Sequence, residues 1–162
     1  MQEVGRYLGE LTDRRGSRPH TGPTMPHQQL DQNAPAEMQE LLFERIRRLP
    51  GVSVAPSRIS VPGARAFVLE APTDRPEAFM VGGEFAHLHP PTDGSLHLML
   101  SEDDADEVIA KGWGELHPAA RQGLIPGAAL MIYGPRDEAE LDVVWQIVEA
   151  SHRFARGNDS GP

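Results

Sequence analysis

The sequence predicts an α+β protein with a mostly antiparallel sheet and helices packed on one face of that sheet. Three observations support this fold class. An amphipathic helix at 35–49 precedes several short strand-like runs that are joined by hairpin-type turns. Residues 95–101 alternate strictly between leucines and other side chains. Two further helical stretches, at 101–112 and 134–155, flank a last apolar strand at 128–133.

The chain begins with a region, residues 1–34, that is predicted to contain a short helix and an extended loop. A helix over 2–11 is expected because Val4, Leu8 and Leu11 have helical spacing. Residues 12–34 are rich in Pro, Gly and polar side chains and have no periodicity. Loops of this length are usually functional or disordered, so the segment is expected to wrap over its own domain or over a partner subunit in a homodimer.

The predicted α+β domain covers 35–156, and a frayed tail is expected over 157–162. In the first helix, Asn33 is the expected N-cap and Pro35 suits the first turn. Strands are expected at the following β-rich runs: 52–61, 64–71, 77–81, 84–89 and 95–101. Pro62-Gly63 joins the first two runs, and Gly82-Gly83 separates the third from the fourth.

The later helices have clear end signals. Ser101 is the expected cap of the second helix, which has an acidic first turn and ends at Lys111-Gly112. Residues 113–127 are expected to form a loop. Asp137 and Glu140 are the expected cap and box partner of the last helix.

Composition excludes several classes of function. The net charge of −9 disfavours nucleic acids and anionic membranes as partners. The chain has no cysteine, which excludes disulfides and zinc-thiolate sites. No apolar run approaches the roughly 20 residues of a membrane span, and the N-terminus lacks the apolar segment of a signal peptide. A soluble, cytoplasmic protein without a membrane partner is therefore expected.

Three of the seven histidines lie between residues 87 and 97, around the turn-forming run Pro90-Pro91-Thr92-Asp93-Gly94. A five-residue hairpin loop would place His87 opposite His97 and His89 opposite Ser95. Because side chains alternate along a strand, these four residues would share one face, and the neighbouring leucines would share the other. The imidazoles would then converge without help from distant parts of the chain.

Such a histidine face is compatible with three interpretations. It could bind a transition metal in the manner of a cupin, although the carboxylate expected shortly after the His-x-His pair is missing. It could act as an acid-base cluster, since imidazole titrates near neutral pH. It could also consist of partly buried strand histidines with structural hydrogen bonds. Nucleophilic catalysis has little support, because nothing around Ser95 resembles a nucleophile elbow.

Four short motifs together resemble the domain of the fungal luciferases and their bacterial relatives. They are His87-Leu88-His89-Pro90, Asp93-Gly94-Ser95-Leu96-His97, Gly112-Trp113-Gly114-Glu115 and Tyr133-Gly134-Pro135-Arg136. The resemblance covers about residues 84–150. It implies an enzyme that adds O2 to a hydroxylated α-pyrone, 3-hydroxyhispidin, with release of CO2 and light and with no metal or organic cofactor.

The resemblance and the histidine pattern together give our functional hypotheses. The first is a cofactor-independent oxygenase that acts on a small enolic aromatic or α-pyrone substrate and O2. The alternatives are a non-catalytic small-molecule binding module and a cupin-like histidine metalloenzyme. For the oxygenase, one histidine is the base, Arg136 pairs with the anionic oxygen, and Trp113 and Tyr133 pack on a flat ring. The catalytic candidates are His89, His97, His87 and Arg136, and the substrate-binding candidates are Trp113, Tyr133, Glu115, His117, Ser95 and Asp93.

Overall fold

A six-stranded sheet forms the centre of the fold in this computed structural model, which describes residues 5–125 and 127–157. All of its strand pairs are antiparallel, and the strand order is β1-β2-β3-β4-β6-β5. The strands are β1 (Val52–Pro56), β2 (Arg65–Leu69), β3 (Glu84–Leu88), β4 (Leu96–Leu100), β5 (Gly114–Leu116) and β6 (Ala128–Ile132). The α+β class and the antiparallel sheet are therefore confirmed.

Four α-helices accompany the sheet in the described part of the chain: α1 (Ala36–Arg47), α2 (Glu102–Ala110), α3 (Pro118–Arg121) and α4 (Glu138–Arg156). The predicted caps of α2 and α4 are present, because Ser101 accepts from the amide of Asp104 and Asp137 accepts from that of Glu140. The predicted cap of α1 is wrong. Pro35 is the N-cap residue, and the Asn33 amide donates instead to the Asp93 carbonyl at 2.8 Å.

The two faces of the sheet differ in chemistry. The apolar face carries leucines, among them Leu96, Leu98 and Leu100, which belong to one buried cluster with residues of α1, α2 and α4. The other face, which we call the histidine face, carries His87 opposite His97 and Glu115 opposite Met131. Residues of α1, α2 and α4 pack in the buried cluster of the apolar face, whereas the described lining of the histidine face comes from other parts of the chain.

Three predicted elements differ from the structure. Residues 5–11 form no helix, because the amides of Tyr7 and Leu8 bond to the Asp104 carboxylate and not to carbonyls within the segment. The strand predicted at 77–81 is a 3-10 turn at Pro76–Ala78. The loop predicted over 113–127 contains β5 and α3, since Gly114, Glu115 and Leu116 pair with β6.

The extended segment after residue 11 packs on its own domain. The amide of Arg14 donates to the Lys111 carbonyl, and the Gln29 side chain accepts from the Gly134 amide. This segment covers part of the histidine face, whereas a homodimer stays a prediction. Of the predicted tail only Gly157 lies within the described residues, as the left-handed C-cap of α4. None of the described helices combines the length and hydrophobicity that crossing a membrane requires.

Candidate functional site

The hairpin of β3 and β4 forms the floor of the site. His87 pairs with His97 as predicted, and the amide of His89 donates to the Ser95 carbonyl at 2.9 Å. The predicted hairpin register is therefore confirmed. His87, His89 and His97 are each at most 3% exposed. Their ring centroids lie 4.5 to 5.4 Å apart, and the rings of His87 and His89 are stacked.

The turn that closes this hairpin is held by Asp93. Its amide and that of Gly94 donate to the Pro90 carbonyl, and Gly94 has a φ of 76°, which glycine adopts without strain. The Asp93 carboxylate accepts from Ser95, from the Gln29 amide and from His89 Nδ1 at 2.8 Å. Burial alone would raise the pKa of Asp93, but the hydrogen bonds from His89 and Ser95 hold it below its usual value.

A chain of three imidazoles runs between two carboxylates on this face. Glu84 Oε2 lies 2.8 Å from His87 Nδ1, and His87 Nε2 lies 3.1 Å from His97 Nδ1. His97 Nε2 lies 3.1 Å from His27 Nδ1, and His27 Nε2 lies 2.8 Å from Glu115 Oε2. Both nitrogens of all three rings are therefore engaged by other members of this chain.

The environment disfavours the charged form of three of these imidazoles, His87, His97 and His117. Burial, followed by the neighbouring imidazoles, holds the pKa of His97 well below its usual value. Burial also lowers the pKa of His87, although its bond to Glu84 opposes this effect. Burial and the nearby His27 lower the pKa of His117 to about 4. These three histidines are accordingly neutral at physiological pH.

Glu115, the carboxylate at the far end of this hydrogen-bonded series of imidazoles, is held as an anion. Burial would raise the pKa of Glu115, but bonds from His27, Tyr133 and Thr21 outweigh it and bring the pKa to about 2. The Tyr133 hydroxyl donates to Glu115 at 2.7 Å, and burial together with this anion raises the pKa of Tyr133 to about 12. Glu115 thus stays ionised and Tyr133 stays protonated across the neutral range.

A cavity of about 630 Å³ opens above the imidazoles. This volume is in the range of small-molecule sites. Three lining residues, Met25, Ile59 and Leu124, are more than 40% exposed and form an apolar rim. The other lining residues are mostly apolar walls and the imidazoles themselves: Pro26, His27, Ser60, Val61, Met80, His87, His89, His97, His117, Ala119, Ile125 and Ala129.

Of the six residues predicted to bind substrate, only His117 is among the described lining residues of the cavity, and Trp113, Tyr133, Glu115, Ser95 and Asp93 are not. Trp113 is 3% exposed and belongs to the core cluster, and its Nε1 donates to the Thr12 carbonyl at 2.7 Å. Tyr133 is 1% exposed and supports Glu115. In this structure both contribute to the scaffold of the site, and their predicted contact with a flat ring stays a prediction.

The guanidinium of Arg136 also lies apart from the imidazoles. It bonds to both carboxylate oxygens of Glu140, to the Gln32 side chain and to the Arg15 carbonyl. The pairing with Glu140 raises the pKa of Arg136. Its predicted contact with a substrate oxyanion stays a prediction, because the lining residues described for the cavity do not include it.

Sequence reasoning missed His27 and Glu84 as members of the site. Glu84 is three residues before His87, so its contact with His87 is local. An acidic residue at this spacing before a strand histidine is a pattern from which the contact could have been predicted. His27 lies 70 residues from His97 in an aperiodic segment, and no local pattern places it. The lining residues Ile59, Val61 and Met80 were missed for the same reason, since they come from connections outside the strands.

Two overlapping sets of three imidazoles have the spacing of metal ligands. The first is His87, His89 and His97, and the second is His27, His97 and His117. In each set one nitrogen per ring lies within 4.8 Å of the others. The arrangement is therefore chemically capable of proton transfer and of binding a cation.

Comparisons with known proteins agree with this architecture. A family model described as the Luciferase domain matches residues 82–151. Luciferases of Armillaria ostoyae, Armillaria gallica and Neonothopanus nambi are each 32% identical, in alignments that cover 99% of this chain and 67% of theirs. The chain belongs to the luciferase-domain family. No solved structure gives a significant match.

Within this luciferase-family chain, the segment matched by the family model holds the β3–β4 hairpin and most of the histidine face. His27, Ile59 and Val61 lie before residue 82. The alignments with the fungal luciferases extend over these residues as well, so they cover the segment that completes the cavity.

Proposed function

We propose that the protein is a luciferase-like oxygenase that binds a small, flat enolic compound, a hydroxylated aromatic or α-pyrone, and adds O2 to it. The observation that carries this proposal is the pairing of His89 with Asp93 on the floor of an apolar cavity. Membership in a family that includes fungal luciferases supports an oxidative reaction on a small molecule.

His89 has the features of a general base. Its Nδ1 lies 2.8 Å from the Asp93 carboxylate, which fixes the ring and its tautomer with the proton on Nδ1. Nε2 is then the nitrogen with a lone pair, and His89 lines the cavity. A carboxylate that orients an imidazole in this way also stabilises the imidazolium formed when the ring takes a proton.

His117 complements this base as an uncharged donor. Its Nδ1 accepts from the Ala119 amide at 2.9 Å, so the ring proton lies on Nε2. Because the pKa of His117 is about 4, the ring stays neutral near pH 7. A neutral N–H donor at the cavity can stabilise an oxygen on which negative charge develops.

The proposed reaction needs no external reductant. His89 Nε2 removes the enol proton, and the resulting anion is electron-rich. Its carbon forms a bond to O2, so that the substrate is oxidised by two electrons and O2 is reduced to the peroxide level. The His89 imidazolium then returns the proton to give a hydroperoxide. The apolar walls limit competing protonation by water.

The test is O2 uptake by untagged protein with 3-hydroxyhispidin, compared with the rate without protein. We expect His89→Gln to lower kcat/KM about 100-fold or more, in the range that general bases contribute. The matched control is His20→Gln, because His20 is exposed and pairs with Asp31 away from the cavity. Wild-type activity in the His89 variant would contradict its role as the base.

A binding module without catalysis is the second candidate. It is favoured by the apolar walls and by the lining residues described for the cavity, which include no lysine or arginine to hold an oxyanion. This candidate predicts that flat aromatic acids raise the Tm without any O2 uptake. O2 uptake that depends on His89 would exclude it.

A further inference from the structure

We propose that His87, His89 and His97 bind one divalent first-row transition metal ion, such as Zn²⁺ or Fe²⁺, at the floor of the cavity. Three neutral imidazoles are a suitable ligand set for these metals, and a fourth position open to solvent is typical of catalytic sites. The inference goes beyond the proposed function, because it concerns what the cluster itself binds. An ion on His89 Nε2 and a base at His89 are alternative uses of one lone pair, and the experiment below separates them.

The geometry of the three rings fits a shared ion. His87 Nε2 and His97 Nδ1 are 3.1 Å apart, and the three rings each place a nitrogen within 4.8 Å of the others. Metal–nitrogen bonds of about 2.0–2.1 Å place neighbouring ligand nitrogens roughly 3.0–3.4 Å apart. Only a small inward movement of His89 and its neighbours is therefore needed to complete the site.

The outer nitrogens of two ligands are already oriented. His87 Nδ1 bonds to Glu84, and His89 Nδ1 bonds to Asp93, both at 2.8 Å. A histidine that binds a metal almost always donates its other ring N–H to a carboxylate, carbonyl or water. In both residues this leaves Nε2 as the nitrogen that can bind the ion.

Counting ring protons shows how the cluster can accommodate a cation. The chain Glu84, His87, His97, His27, Glu115 contains four close contacts between hydrogen-bonding atoms. If all three imidazoles are neutral, they supply three ring protons, and the two ionised carboxylates supply none. One of the four contacts must then bring two acceptors together, which is costly in a buried site.

A metal ion removes this conflict without adding a proton. With the ion between His87 Nε2 and His97 Nδ1, His87 donates only to Glu84. His97 Nε2 then donates to His27 Nδ1, and His27 Nε2 donates to Glu115. Every contact has one donor and one acceptor. An additional proton on the cluster would serve the same purpose, so binding of the ion has to be measured directly.

The local charge also favours a cation. The carboxylates of Glu84, Asp93 and Glu115 each lie 2.8 Å from an imidazole nitrogen of the histidine face. No lysine or arginine is found among the lining residues that the structure describes. A divalent ion at the floor would balance most of this charge and would face the cavity that the substrate enters.

The direct test titrates metal-stripped, untagged protein with Zn²⁺ in a calorimeter and with Co²⁺ by visible absorption. We expect one ion per chain, a Tm that rises with Zn²⁺, and the intense visible bands of Co²⁺ in a low-symmetry nitrogen site. His89→Gln and His97→Gln should lose binding, and His152→Gln, which removes a buried histidine that bonds to the Pro50 carbonyl, should keep it.

A milder variant keeps the test decisive if a ligand variant fails to fold. Glu84→Gln leaves all three ligands in place and should weaken Zn²⁺ binding about 10- to 100-fold, as loss of an outer partner does. Glu44→Gln, on the exposed side of α1, is its control. The site would be overturned if wild-type protein bound Zn²⁺ and neither His89→Gln nor Glu84→Gln weakened that binding. It would also be overturned if Zn²⁺ binding were lost only in His117→Gln.

The outcomes for the metal and for the reaction can be separated, because the ion and the proposed base compete for the His89 lone pair. O2 uptake that persists in stripped protein, with no Zn²⁺ binding, overturns the metal site and leaves the proposed oxygenase standing. Stoichiometric Zn²⁺ binding that depends on His89, with no uptake under any loading with Zn²⁺ or Fe²⁺, supports the metal site and overturns the oxygenase.

Discussion

The two faces of the central sheet are equally buried but are stabilised in different ways. Leu96, Leu98 and Leu100 on the apolar face pack against α4 and need only volume and shape complementarity. His97, on the same strand, is 2% exposed and has a polar partner for each ring nitrogen. The comparison shows that one strand can serve a stability core and a chemical site, because its side chains alternate between the faces.

The histidine face is also the more costly one to bury. A buried polar atom that loses its partner destabilises the fold by its full desolvation penalty, whereas a leucine loses contact area and leaves a cavity. Substitutions on the apolar face should therefore change stability and leave the site chemistry unchanged. Substitutions on the histidine face should change both properties, and their effects should depend on pH or on bound cations.

The largest stability effect is expected on the apolar face. Leu98 is completely buried, and Leu98→Ala should lower the free energy of unfolding by about 3–5 kcal/mol, because a cavity remains. Chemical denaturation measures this loss. Leu41→Ala, at a position 44% exposed, is the control and should have little effect. If Leu98→Ala also abolished Zn²⁺ binding in folded protein, the two faces would not be independent.

A smaller effect that varies with pH is expected on the histidine face. The pKa of Glu115 in the folded protein is about 2, below its ordinary value of 4.5, so its ionised form stabilises the fold at pH 7. We expect Glu115→Gln to cost about 2 kcal/mol at pH 7, after allowance for solvent screening of a partly exposed group.

The sign of the pH dependence tests this interpretation of Glu115. The stabilisation is complete above pH 4.5 and is lost as the pH falls through about 2, so wild type and variant should converge in acid. Denaturation at several pH values measures the difference. A gap that stays constant down to acid pH would mean that Glu115 stabilises the fold by packing and not as an anion.

The smallest effect is expected in the segment that covers the histidine face. The Asn33 side chain donates to the carbonyls of Gln29 and Asp93, at 3.0 and 2.8 Å. Asn33→Ala should cost about 1 kcal/mol, because two partly buried hydrogen bonds are lost. Hydrogen exchange should rise in residues 20–33 before it rises in β4. Equal increases in both regions would show that this segment and the sheet unfold as one unit.

Local patterns in the sequence predicted much of the fold and the floor of the site. The caps at Ser101 and Asp137 were predicted because they depend on residues three positions away. The predicted helix over 2–11 was wrong where it is described, since carboxylates of the distant α2 take the amides of Tyr7, Leu8 and Leu11. When distant side chains compete with helical carbonyls for backbone amides, the sequence shows no periodic pattern that reveals it.

The convergence of His87, His89 and His97 follows from local sequence alone, because strand alternation and a tight turn fix their relative positions within eleven residues. The residues that surround these imidazoles are set by tertiary packing. His27 and His117 arrive from segments far along the chain, and the rim at Met25, Ile59 and Leu124 comes from three separate connections. These contacts depend on the packing of aperiodic chain across the sheet, and short-range periodicity carries no information about it.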